Sequence, residues 1–171
     1  MTGTRSGEAF ELRCGDIDRS ERRLFLERKY SFDNKQIEGL KDHEWRQVPF
    51  NEELEGLLEE LGVFTRGRDE HVLPRITAWK NGETARILRA FCVEIGLPSI
   101  CFHTLRACWA TQLLRGGVQA VKVMAMGGWA DLEVMQRYIR IAGIETTGAT
   151  DCLSFEPKKK QRPARVLALV K

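Results

Sequence analysis

The sequence predicts a mainly α-helical fold with a small antiparallel β-sheet near the N-terminus, an α+β arrangement. Apolar residues recur at helical spacing in the second half of the chain, and glycines separate the segments. These segments are 83–95, 104–115, 118–126 and 131–142. In the first half, 22–31 and 45–50 show strand-like alternation on either side of a polar stretch, which predicts a hairpin or a three-stranded sheet. A length of 171 residues with 43% hydrophobic residues favours a single core.

Residues that start and stop helices support this division. A short helix is expected over 5–14, because Gly15 follows it as a stop signal. Asn51 is a suitable N-cap for a helix that ends at Gly62, and Asp131 is a suitable cap for the last helix of the series. The helices are therefore expected to begin and end at these polar residues and glycines.

Composition argues against several classes of protein. The net charge of +3 makes overall basicity a weak argument for a nucleic-acid partner, so the distribution of charge matters more. The five cysteines are scattered without C-x-x-C spacing, which argues against a disulfide framework or a zinc site and favours a reducing compartment. There is no run of 18 apolar residues and no secretory leader, so we expect a cytoplasmic protein with no membrane partner.

A series of residues suited to phosphate chemistry runs through the chain, although each also has an ordinary structural explanation. His103 and Arg106 stand three apart in FHTLRAC, where a structural histidine and a surface salt bridge are the usual roles. Tyr138 shares a helical face with apolar residues, as a core aromatic would. The series follows a definite order: an arginine, a hairpin lysine, a His-x-x-Arg pair, a Gly-Gly-Trp sequence and a tyrosine. Its members are Arg5, Lys41, His103, Arg106, Trp129 and Tyr138.

This order resembles the catalytic domain of the tyrosine recombinases, also called the phage integrase family. The resemblance runs from Arg5 through Tyr138 and into the tail that follows. Two positions depart from the family pattern. Trp129 stands where histidine is more common, and Ala107 stands where the HxLRH motif has its second histidine. The second departure has little consequence, because that histidine is not usually given a chemical role.

The resemblance implies a covalent mechanism centred on Tyr138. A tyrosine hydroxyl stores the bond energy of a cleaved DNA strand as a phosphotyrosyl ester, so Tyr138 would be the nucleophile. Arg5 and Arg106 would hold the scissile phosphate, because a guanidinium is permanently charged and donates paired hydrogen bonds to phosphate oxygens. Glu8 would support Arg5 or its neighbours by a hydrogen bond and take no part in the chemistry. The two arginines would supply the charge neutralisation that magnesium gives elsewhere, so we expect no cofactor and no metal.

Three further residues would assist at the same phosphate. His103 would accept a proton or donate a hydrogen bond, because imidazole suits acid–base work near neutral pH. Trp129 has an indole N–H that only donates, so it would bind a phosphate oxygen as well as pack. Lys41 would protonate the departing 5′ oxygen from a hairpin, with Lys29 and Lys35 as other lysines in the same region.

By this resemblance the chain is an enzyme, a tyrosine-type DNA strand transferase. It would be the catalytic domain of a site-specific recombinase or integrase that cleaves and rejoins DNA through a 3′-phosphotyrosyl intermediate. The expected partners are double-stranded DNA and other recombinase protomers. Two alternatives stay open, which are DNA relaxation of the type IB topoisomerase kind and a non-catalytic DNA-binding module on the same fold.

The domain division follows from the same resemblance. Residues 1–156 are expected to form an integrase catalytic domain, without the N-terminal DNA-clamping domain usual in the family. Residues 157–171 are expected to form a basic linker, PKKKQRP, and an apolar tail, VLALV. The linker would contact the phosphate backbone without sequence preference, and the tail would be exchanged between protomers or else be a frayed terminus.

Overall fold

The computed structural model describes residues 1–40, 45–74, 83–144, 147–151 and 153. The predicted fold class is confirmed, because helices predominate in this part of the chain and the strands are short and antiparallel. The helices are α1 (Ser6–Glu11), α2 (Glu52–Glu60), α3 (Glu83–Glu94), α4 (Phe102–Arg115), α5 (Ala120–Gly127) and α6 (Leu132–Ala142). The strands are β1 (Ile17–Asp18), β2 (Arg23–Leu26), β3 (Arg28–Ser31), β4 (Gln36–Gly39) and β5 (Arg46–Pro49).

The segment predicted as one strand over 22–31 is two strands in two different sheets. β2 lies between β1 and β5 in a three-stranded sheet, with Leu24 opposite Val48. β3 pairs with β4 in a separate two-stranded sheet, and its Tyr30 packs on Phe10 of α1, with ring centroids 5.2 Å apart. The chain divides at Glu27 because the apolar side chains on either side of it are buried against different partners.

The expectation of a single core is wrong for the described residues, which form two hydrophobic clusters. The first joins the three-stranded sheet to α2, and Leu24, Val48 and Leu58 are buried in it. The second lies among α4, α5 and α6. The side chain of Trp109 on α4 packs against both clusters. The sheet and the helices each bury an apolar face of their own, and the seam between them passes through this tryptophan.

Local capping signals predicted most helix ends correctly. The side chain of Asn51 accepts a hydrogen bond from the Leu54 N–H at 3.1 Å, and Asp131 accepts one from the Glu133 N–H at 2.7 Å. The first helix is shorter than predicted, because the N–H of Cys14 donates at 2.8 Å to a carbonyl of the loop that follows α2. None of the helices in the described ranges is long and apolar enough to cross a membrane.

Met135 tests the importance of the helical cluster for stability. It is fully buried on α6, so Met135→Ala is expected to lower the free energy of unfolding by about 2–5 kcal/mol. Ile141, on the same helix, is 57% exposed, and Ile141→Ala is the matched control, with an expected change within about 0.5 kcal/mol. Urea unfolding measures both variants. Equal losses would show that α6 does not pack as described.

Candidate active site

Four of the predicted site residues meet at the seam between the two clusters, although they are far apart in sequence. Arg5 is the N-cap residue of α1, and Arg106 lies in the second turn of α4. Trp129 lies in the connection between α5 and α6, and Tyr138 lies in the middle of α6. Helix α4 packs against both α5 and α6, and this packing brings the side chains of Arg106, Trp129 and Tyr138 into contact.

Arg106 lies at the centre of this arrangement and is only 4% exposed. Its Nη1 donates a hydrogen bond to the carbonyl of Gly3, and its Nη2 donates to the carbonyl of Gly127. The guanidinium lies over the Trp129 ring, with its carbon 3.9 Å from the ring centroid, a cation–π contact. These contacts hold the guanidinium in one orientation before any ligand is present.

The charge of Arg106 is affected by its surroundings. Burial, followed by the positive charges of Arg5 and Arg46, lowers the pKa of Arg106 to about 10, while Glu8 and Tyr138 act in the opposite direction. Arg106 therefore remains a cation at neutral pH. Tyr138 is connected to this guanidinium through Trp129, which contacts both side chains.

Tyr138 is 4% exposed and packs against Trp129, with ring centroids 5.3 Å apart. Trp129 in turn stacks on Trp109 at 6.2 Å, so the three rings form a row that ends at the tyrosine. In the part of the chain that the structure describes, no hydrogen bond engages the Tyr138 hydroxyl. The ring is therefore fixed by packing.

Glu8 and Arg5 form the other side of the site. Both oxygens of the buried Glu8 carboxylate accept hydrogen bonds from Arg5: Oε1 from Nη1 at 3.0 Å and Oε2 from the backbone N–H at 2.8 Å. Arg5 Nη2 also donates to the carbonyl of Gly128 at 2.8 Å. The expected support of Arg5 by Glu8 is thus present as a direct contact, while the Arg5 side chain is 48% exposed.

Arg46 was not among the predicted site residues, yet it connects the site to the sheet. It is 9% exposed on β5; its Nη2 donates to Glu8 Oε2 at 2.6 Å and its Nε donates to the Met126 carbonyl at 2.8 Å. One sequence signal indicated it. Side chains alternate along a strand, so Arg46 faces the same side as the buried Val48 and Phe50 in WRQVPF.

One predicted residue in the described part of the chain, His103, is not brought into contact with this group. His103 lies in the first turn of α4, three residues before Arg106, and is exposed; no hydrogen bond, ion pair or ring contact joins it to the other site residues described. Lys41 lies outside the described residues. The cysteine, histidine, aspartate and glutamate side chains within the described ranges form no group of three that could hold a metal ion.

An open cleft of about 660 Å³ lies beside Arg5 and Trp129, whereas Arg106 lines a separate pocket of about 460 Å³. Arg5, Arg46, Gly128 and Trp129 form one part of its wall, and the rest comes from α1, α5, the sheet region and the segment that leads into α6. The cleft therefore exposes a guanidinium, an indole and backbone groups to solvent on one surface. Such a surface suits an anionic ligand that also carries flat or apolar groups.

Comparison with known proteins identifies the family. The model of the phage integrase family matches residues 1–143, most of the chain. The chain belongs to the phage integrase family. One family relative is the integrase of Salmonella phage P22, which is 37% identical over 54 residues, or 32% of this chain and 14% of that protein.

Solved structures agree with the family fold. The XerA recombinase has a TM-score of 0.64 at 21% identity, covering 88% of this chain and 52% of that one. The Tn1549 transposon integrase in complex with circular intermediate DNA has a TM-score of 0.67 at 16% identity, covering 80% and 51%. The XerH recombinase bound to its palindromic difH substrate has a TM-score of 0.60 at 19% identity, and the match covers 87% of this chain and 42% of that one. This chain spans about half or less of the length of these relatives.

The Glu8 carboxylate makes a testable contribution to stability. Burial raises the pKa of Glu8, but the hydrogen bond and charge of Arg46, with help from Arg5, outweigh burial and hold that pKa below its ordinary value. The stabilising contribution is therefore complete above about pH 4.3, the unfolded value for a glutamate, and is lost as pH falls through the lower folded value. Glu8→Gln removes this pH dependence and leaves Arg46 buried without an anion, a loss of about 3–5 kcal/mol at pH 7.

The control for this prediction is Glu60→Gln on α2. Glu60 is exposed and forms no ion pair among the described residues, so its change is expected to stay within about 0.5 kcal/mol. Urea unfolding between pH 3 and pH 7 measures wild type and both variants. A Glu8→Gln curve parallel to that of wild type would contradict the assigned ion pair.

Gly127 tests the packing between the glycine pair and the arginines. A Cβ at Gly127 would overlap the Trp129 ring, so Gly127→Ala is expected to displace the indole from Arg106 and cost about 1–3 kcal/mol. Gly56 of α2 has no atom within 4 Å of an added Cβ, and Gly56→Ala is expected to stabilise by about 0.5–1 kcal/mol. Unfolding curves and near-UV circular dichroism of the tryptophans distinguish the two. A stabilised Gly127→Ala with unchanged spectrum would show that Trp129 is not confined.

Proposed function

We propose that this chain contains the catalytic domain of a site-specific DNA recombinase or integrase, formed by residues 1–156. It would cleave and rejoin double-stranded DNA through a covalent 3′-phosphotyrosyl intermediate, acting with other protomers on paired DNA sites. The proposal rests above all on one observation. Two arginines, Arg5 and Arg106, are each held by a carbonyl more than 100 positions away in the sequence, and Arg106 lies over the Trp129 ring on which Tyr138 packs.

The two guanidinium groups suit the charge that develops during phosphoryl transfer. Each guanidinium has five N–H donors. Arg5 uses one on Glu8 and one on Gly128, and Arg106 uses one on Gly3 and one on Gly127, so three donors on each make no hydrogen bond within the described residues. Donors that are oriented beforehand stabilise the non-bridging oxygens of a pentavalent phosphorus without further reorganisation. Removing one such donor group typically costs about 10²–10³ in rate.

The reaction balances as a transesterification. The Tyr138 oxygen attacks phosphorus while its proton passes to His103, the bond from phosphorus to the 5′ oxygen breaks, and the departing oxygen takes a proton from Lys41. Trp129 donates its indole N–H to a phosphate oxygen. The phosphotyrosyl ester keeps the energy of the broken bond, so attack by a 5′ hydroxyl from another strand rejoins the DNA and releases the tyrosine.

Two further observations support DNA as the substrate. The solved relatives include a transposon integrase in complex with circular intermediate DNA and a recombinase bound to a DNA substrate. The sequence PKKKQRP within 157–171 carries four positive charges that would add salt-dependent contact with the phosphate backbone. The tail after this linker would reach a neighbouring protomer, which links cleavage to assembly.

Tyr138→Phe is the decisive variant, because it removes only the hydroxyl and keeps the ring that packs on Trp129. Nicked duplexes tiled across the DNA that flanks the gene serve as suicide substrates, and a covalent protein–DNA adduct is detected on a denaturing gel. We expect an adduct with wild type and none with Tyr138→Phe, whose stability is unchanged. Arg106 variants are less informative, since Arg106 also holds the backbone at Gly3 and Gly127.

The matched control is Tyr30→Phe, because the chain has only two tyrosines. Tyr30 is buried beside Phe10 and should leave adduct formation intact. Adducts of equal yield from Tyr138→Phe and wild type would refute the assignment of the nucleophile. Relaxation of supercoiled plasmid by a single protomer, without strand exchange between sites, would favour the topoisomerase alternative.

A further inference from the structure

Trp45 is a large aromatic side chain that the proposed chemistry does not use. It is 61% exposed and lines the cleft of about 660 Å³ together with Arg5 and Trp129. A tryptophan usually buries most of its ring, since the indole is the largest apolar group a protein carries. Its exposure beside a cationic cleft therefore indicates a surface kept for a ligand with a flat apolar face.

The backbone next to Trp45 is firmly held. Arg46 follows it directly, and the guanidinium of Arg46 is fixed by Glu8 Oε2 at 2.6 Å and by the Met126 carbonyl at 2.8 Å. β5 then pairs with β2 along its whole length. The chain that follows Trp45 is therefore anchored to the sheet and to the site at the wall of the cleft.

The other groups of the cleft decide which kind of ligand fits. Arg5 is the half-exposed cation of the wall, while the charge of Lys29 is offset by Glu38 at 3.2 Å. The Asp131 carboxylate is engaged by the Glu133 N–H at 2.7 Å. An anionic group at Arg5 with a planar ring beside it matches a nucleotide, since base–aromatic stacking tolerates any base.

We propose that Trp45 stacks on one of the two bases that flank the cleaved phosphodiester, holding that base as it leaves the duplex stack at the cleavage site. This assignment rests on the proposed function, because Arg5 must hold the scissile phosphate for the base to reach the indole. Trp45 is then a DNA-binding residue of the site, and it moves no proton.

The test uses the nicked duplex that gives a Tyr138-dependent adduct, with 2-aminopurine placed in turn at each flanking base. Stacking on an indole quenches 2-aminopurine fluorescence. We expect quenching at one of the two positions with wild type, its loss with Trp45→Ala, and its recovery with Trp45→Phe. Binding by Trp45→Ala is expected to be about 5- to 150-fold weaker, as the loss of one base stack implies.

Phe91→Ala is the matched control. Phe91 is a 53% exposed aromatic on α3 outside the cleft, so its loss should change neither quenching nor binding. Trp45→Ala with wild-type quenching and affinity, in a protein that still forms the adduct, would overturn the role of Trp45 and leave the proposed function standing. Absence of any Tyr138-dependent adduct would overturn the proposed function and this assignment with it.

Discussion

The carboxylate of Glu8 binds two guanidinium groups at once, and the geometry of the whole site depends on that shared ion. Arg5 reaches it from the start of α1, and Arg46 reaches it from β5. A buried carboxylate is costly unless hydrogen bonds satisfy it, and here three donors do so. Moving α1 away from β5 would leave the buried guanidinium of Arg46 without its anion, so the helix and the strand cannot separate without a large loss of free energy.

The glycine pair extends this constraint from the sheet to the helical cluster. The carbonyl of Gly127 accepts a hydrogen bond from Arg106, and the carbonyl of Gly128 accepts one from Arg5. Gly128 has φ of +67°, and an added Cβ there would lie 3.0 Å from Arg46 Nη1. A side chain at either position would push away an arginine or the indole. The Gly-Gly-Trp sequence is therefore explained by close packing around three guanidinium groups.

The sequence allowed the helices and their ends to be predicted, because caps such as Asn51 and Asp131 act through neighbouring backbone groups. The division at Glu27 was missed, since it depends on which partner each half of 22–31 packs against. The grouping of site residues followed from resemblance to a family, as no local pattern relates residue 5 to residue 138. Arg46 could have been found by strand alternation, yet its partner Glu8 is 38 residues away.

The depth of Arg106 bears on how such a site would work. Although its surroundings lower the pKa of Arg106 to about 10, the guanidinium is still charged at pH 7. Because Arg106 is buried, its guanidinium has already lost most of its hydrating water, and an arriving phosphate would not have to displace that water. The electrostatic attraction between the two groups is also stronger away from bulk solvent. Arg5, half exposed, is placed to meet the anion first. Under the proposed function, the site would combine an accessible cation for capture with a preoriented one for the transition state, and the same glycine pair positions both.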